Sequence, residues 1–215
     1  MHIPDGIIAP QMYLPAYGVA AGLWAVALRR VRDVLDEETI PRLAVLTAFC
    51  FVAMMVMIPL PGGTSTHATG VALLAVLFGV WTSFVSVSLV LLLQALLFGA
   101  GGVTSLPLNA LAMGLVGSAA ARAAYAIVRP VNESVALVVA GWVSVNAAAL
   151  LLALALGLQP AIAHGPDGQP RFFPFGLSVT VPAVMLPHVV LGIGEGVLTL
   201  LMCRLIWRRG WVSRP

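Results

Sequence analysis

Six apolar runs occupy most of this 215-residue chain, and they restrict its fold more than any other feature. They fall at Tyr13 to Leu28, Leu43 to Ile58, Val71 to Phe98, Leu108 to Val128, Val135 to Leu158 and Val179 to Trp207. A helical crossing of a bilayer takes about 20 apolar residues, so the length allows six to eight crossings and almost nothing outside them. A soluble domain carries about 25% charged residues; here 9% are charged and 60% hydrophobic. These features predict an all-α integral membrane protein, folded as a single transmembrane domain over residues 1–215. They exclude an ATPase or other sizeable soluble domain within the chain.

The third run decides the topology. Its 28 residues would make one helix of about 42 Å, too long for a hydrocarbon core of about 30 Å and short for two full crossings. Arginine placement resolves the choice, because short cytoplasmic loops are rich in basic residues. With the N-terminus outside and a double crossing that breaks near Gly79-Val80-Trp81, ten of the eleven arginines fall inside, and Arg171 is the exception. A single long crossing would strand Arg122 and Arg129 on the other side. The expectation is about seven transmembrane helices, two of them short, with the N-terminus outside and the C-terminus inside.

The net charge of +3 comes from these helix-end arginines, which read as topology signals rather than as a nucleic-acid surface. Cys50 and Cys203 lie far apart in apolar stretches without a CxxC spacing, and both read as core residues. No basic leader followed by a cleavable apolar segment is evident, so no signal peptide is expected.

Against this apolar body the opening Met1-His2-Ile3-Pro4-Asp5-Gly6 is distinctive. A histidine at position 2 can complete a chelate with a free N-terminus. The Met1 amine and the His2 amide nitrogen close a five-membered ring on a metal, and that amide with the His2 imidazole closes a six-membered one. A second imidazole would complete a nitrogen-rich square-planar set of the kind that suits Ni(II), Cu(II) and, less specifically, Co(II). The candidate is His67, within Pro61-Gly62-Gly63-Thr64-Ser65-Thr66-His67-Ala68-Thr69-Gly70. A Gly-rich turn with a helix-capping histidine is the plainer reading, but the topology puts His67 and His2 on the same face, which favours the ligand.

Other polar residues admit two readings each. Asp5 is explained by its Pro-Asp-Gly turn and is a weaker candidate to orient an imidazole. Ser65 and Thr66 flank the His67 position and are candidates to support it. Asn109, after the flexible Gly99 to Ser105 loop, either satisfies a helix start or touches the N-terminal segment. His188 and Glu195 share one face of the last span, where they form an internal hydrogen-bonding tether or, less favoured, a proton or ion relay. At about 14 Å down that helix, His188 reads as too deep to join an outer site. His164 and Arg171 sit in an external Pro- and Gly-rich loop, Gln159 to Gly176, placed to cover the site. Small residues four apart, Ala16 with Ala20 and Gly18 with Gly22, permit close helix packing on the first span.

MHIPDG, PGGTSTHATG, QALLFGAGGVTSLPLNALAMG and HVVLGIGEGVLTL together resemble the metal-binding S component of energy-coupling-factor transporters for nickel and cobalt. The resemblance covers nearly the whole chain, and Met1, His2 and His67 match the family's ligand positions. The chain departs from the family pattern at Ala100, where many relatives are expected to carry Asp or His, and at Pro107-Leu108; both lie outside the ligand motifs. The resemblance implies a non-enzymatic capture subunit in a prokaryotic cell membrane, with Ni2+ or Co2+ as cargo and no resident cofactor. It further implies a transmembrane T subunit, two cytoplasmic ATPase subunits and a small accessory membrane subunit, with membrane lipid around them and no nucleic acid. No GxxxxGK[ST] loop occurs in the chain, so ATP hydrolysis falls to the partners. The competing reading is an intramembrane enzyme with His188 and Glu195 as acid and base.

Overall fold

The structure is a computed structural model that describes residues 2–60 and 64–214, leaving the side chains of 59, 60, 64 and 65 outside the description. Helices dominate it: α1 (Pro10–Arg32), α2 (Thr39–Met55), α3 (Val71–Phe78), α4 (Val80–Phe98), α5 (Leu106–Asn109), α6 (Ser118–Val128), α7 (Glu133–Gly157), α8 (Gln159–Ile162) and α9 (Leu177–Arg208). A π-helical segment, Ala110–Gly117, joins α5 to α6. A small antiparallel hairpin, β1 (Ile58–Leu60) with β2 (Thr64–Thr66), precedes α3 and pairs Ile58 with Thr66.

Four spans are long and apolar enough to cross a membrane: Val80–Phe98, Leu106–Val128, Glu133–Ile162 and Leu177–Arg208. The shorter Thr39–Met55 is also apolar. The outward faces carry large apolar side chains such as Leu14, Leu97, Leu186 and Val190, as a lipid-facing surface requires.

The third run does break at Gly79, whose φ of +84° with ψ of 170° lies outside what an L side chain tolerates comfortably. The two halves are unequal, however. On the C-terminal side α4 has 19 residues and full crossing length, while α3 has only 8, or about 12 Å. The pair of short crossings expected from the sequence is therefore replaced by one full helix and one composite passage. Irregular chain from His67 to Gly70, turning through a left-handed Gly70, enters the bundle, and α3 continues it. Val71 through Val76 are all buried, so α3 lies at the centre of the molecule. Sequence could not reveal this, because a helix buried among others and one facing lipid look alike in composition.

Irregular backbone at such depth must have its polar groups satisfied internally. Glu195 of α9 does this. Its carboxylate accepts from Thr69 N at 2.7 Å, Thr69 Oγ1 at 2.8 Å and Gly70 N at 2.8 Å, and so also places negative charge at the start of α3. Each of these backbone amides left unpaired would cost about 1–3 kcal/mol.

Element directions gather the arginines at one end of the bundle. The C-termini of α1, α6 and α9 and the N-termini of α2, α4 and α7 meet there. Arg30 lies over Trp81 at 5.2 Å, Arg204 bonds Ser134, and Arg214 pairs with Glu133 at 3.1 Å. Arg171 is at the opposite end, between α8 and α9.

Candidate metal centre

At the end opposite the arginine cluster, the N-terminal segment is fastened to α5 and the loop before it by a run of long-range hydrogen bonds. Ile3 N donates to Asn109 Oδ1 at 3.0 Å, and Asn109 Nδ2 returns a bond to Ile3 O at 3.0 Å. Ser105 Oγ donates to the same carbonyl. The Asp5 carboxylate accepts from Val103 N at 3.0 Å, from Thr104 N at 2.8 Å and from the Thr104 hydroxyl. Against the upward push of burial, these bonds hold the Asp5 carboxyl below its ordinary range. The loop can come this close because Gly102 has no side chain: a Cβ there would fall 2.2 Å from Asp5 Oδ1. Farther along, Ala9 N donates to the buried Gln159 Oε1 at 2.8 Å, and Tyr17 bonds the Val103 carbonyl.

This latch sets His2 beside His67, with ring centroids 4.6 Å apart and planes inclined by 39°. His67 is 5% exposed. Its Nδ1 lies 3.1 Å from Ala68 O; a carbonyl only accepts, so Nδ1 carries the proton and the lone pair resides on Nε2. Burial, foremost, pushes the His67 imidazole down to about 3. Burial, then the neighbouring His67, holds His2 well below the usual histidine range. Both rings are therefore neutral at physiological pH, which is the form that binds metal. Among the described residues no group of three or more His, Cys, Asp and Glu side chains gathers. The described side chains offer a metal two imidazoles here, those of His2 and His67.

The fold treats the remaining candidates differently. Met1 lies outside the described residues, as does the Ser65 side chain. Thr66 is buried beside His67 in sequence, at the end of β2. Asn109 resolves to the contact with the N-terminal segment rather than to a helix start alone. Asp5 spends its oxygens on the loop and not on an imidazole. The expected His188 and Glu195 pairing gives way to separate partners: Glu195 holds Thr69 and Gly70, while His188 Nδ1 lies 2.7 Å from Val184 O. Thr69, Ser105 and Gln159 were not legible as site-building residues; Ser105, one helical turn before Asn109, offered the best clue.

This arrangement has close relatives. Residues 2–212 match the CbiM family, described as the cobalt uptake substrate-specific transmembrane region. The chain is 37% identical over 206 residues to the fused nickel transport protein NikMN of Rhodobacter capsulatus, covering 93% of this chain but only 59% of that relative. It is 31% identical over 210 residues to the cobalt transport protein CbiM of Thermosipho melanesiensis, covering 97% of this chain and 87% of that protein. A solved structure of a truncated transition metal transporter superposes with a TM-score of 0.93 at 37% identity, covering 97% of this chain and 99% of that one. The latch around Ile3 and the paired imidazoles are thus set in a shared fold, and the chain belongs to the CbiM family of cobalt uptake substrate-specific transmembrane regions.

Proposed function

We propose that the protein is the substrate-capture subunit of an ATP-driven importer for Ni2+ or Co2+. The observation that carries the reading is the pair of buried, neutral imidazoles of His2 and His67 with centroids 4.6 Å apart. In this proposal the ligands are the Met1 amine, the deprotonated His2 amide, one His2 ring nitrogen and His67 Nε2. His2 Nδ1 is the ring nitrogen that closes a six-membered chelate with the amide. Asp5, Ser105 and Asn109 act through the backbone by fixing the N-terminal segment beside His67. Energy-coupling-factor partners complete the assembly: a transmembrane T subunit, two cytoplasmic ATPases and a small accessory membrane subunit. The relatives' printed functions, nickel and cobalt transport, agree with this cargo. The acid/base enzyme reading loses support because Glu195 is committed to backbone amides.

The test is titration of purified protein with Ni(II) and Co(II), read by elemental analysis and by thermal unfolding. His2→Ala and His67→Ala are each expected to lose high-affinity binding with helical content intact, and His164→Ala to change it little. Adding a few residues before Met1 is expected to abolish binding, because the amine becomes an ordinary amide. Undiminished binding by the extended protein would remove the N-terminus from the ligand set. Undiminished binding by His67→Ala would remove the fourth ligand.

A further inference from the structure

At the arginine-rich end, a cavity of about 430 Å³ opens between α6 and the turn after it, lined by Arg122, Tyr125, Ala126, Arg129 and Pro130. Its floor is the fully buried Tyr125 ring, with the Arg122 guanidinium 5.8 Å and the Arg129 guanidinium 5.7 Å from the ring centroid. These distances suit cation–π contact, which steadies the charges without neutralising them. Among the described residues, neither arginine pairs with a carboxylate. The nearest acid, Glu133, has Oε2 on Arg214 at 3.1 Å and Oε1 at 3.5 Å from the Tyr125 hydroxyl. The pocket thus holds two fixed cations awaiting an anion.

Its position says which anion. Arg122 is half-buried and lies six residues before the end of α6, on a helix that belongs to an apolar span. A guanidinium at that height of a membrane helix extends toward the interface, where the available anions are lipid phosphates. Next to Pro130 of the pocket lining, Val131 is 87% exposed. Val131 lies in the turn between α6 and α7, where a bare apolar side chain faces acyl chains more readily than water.

We infer that Arg122 and Arg129 form a binding site for the phosphate headgroup of an anionic phospholipid, with Val131 against its chains. The site is distinct from the metal centre and lies at the opposite end of the bundle. Guanidinium matches phosphate oxygens in geometry as well as charge.

The experiment is native mass spectrometry of the full chain in neutral detergent, titrated with phosphatidylglycerol or with phosphatidylcholine of the same acyl chains. Phosphatidylglycerol is expected to be retained in preference. A basic residue at a membrane surface contributes about five-fold in affinity, so the preference should fall about thirty-fold in the double variant R122Q/R129Q. It should be unchanged in R42Q, whose arginine is paired with Glu38. Should the double variant not fold, R129Q alone, at an exposed position, reads the same comparison at about five-fold. Equal retention by wild type and the arginine variants would overturn the proposal, as would equal retention of the two lipids. Complete displacement of phosphatidylglycerol by millimolar inorganic phosphate would show a soluble-anion site and overturn the lipid assignment.

Discussion

Two residues, His67 and Glu195, divide the labour of the same short segment, and their substitutions separate the roles. Replacing His67 with Ala removes a candidate ligand and leaves the segment's backbone bonded. In Glu195→Ala, Thr69 N and Gly70 N lose their acceptor, at about 1–3 kcal/mol for each unpaired amide. Glu195→Ala is therefore expected to lower the thermal midpoint and metal affinity together, and His67→Ala to lower affinity alone; a thermal scan beside a metal titration distinguishes them. Protonation provides a second check. The folded protein keeps both imidazoles neutral far below pH 6.5, with His67 at about 3, while an unfolded chain protonates them near 6.5. Protons then favour the unfolded chain, so metal-free stability falls as pH drops from about 6.5 toward 3. His67→Ala should flatten that fall. His2 and His67 could be read from the sequence because their chemistry is intrinsic to residue type and position. The partner of Glu195 could not, since a carboxylate inside a helix can meet any of several neighbours.

Among the elements, α5 and the loop before it matter most to the site. Asn109 supplies two hydrogen bonds to Ile3, each worth about 1 kcal/mol. Asn109→Ala is expected to free the N-terminal segment and weaken metal binding about thirty-fold, with a smaller change in the thermal midpoint; isothermal titration measures it. Helix existence and approximate limits were plain in the apolar runs, as was the break at Gly79. That break already divides the run into 8 and 19 residues; what stayed hidden is the burial of α3 at the centre, which arises only from its packing against other helices. The π-helical segment was equally hidden. Its Gly114 sits against Phe84, where a Cβ would lie 3.0 Å from the ring, and that contact exists only once the helices have packed.

For the molecule as a whole, the arginine asymmetry predicts that the candidate metal centre faces outside and the arginine-rich end the cytoplasm. Cysteines introduced at Val103 and at Glu37 test this orientation with an impermeant thiol reagent on intact cells. Val103→Cys should label from outside and Glu37→Cys only after permeabilisation; labelling of both from one side would overturn the topology. Ser105 would not serve, because it is fully buried against Ile3. The composite passage through the centre joins the two ends mechanically. His67, the residues to Gly70 and α3 are one covalent stretch, held at its upper end by Glu195 and finishing at Gly79, two residues from the Trp81 that carries Arg30. Enclosed by its neighbours, α3 connects an imidazole at one end of the bundle with an arginine at the other.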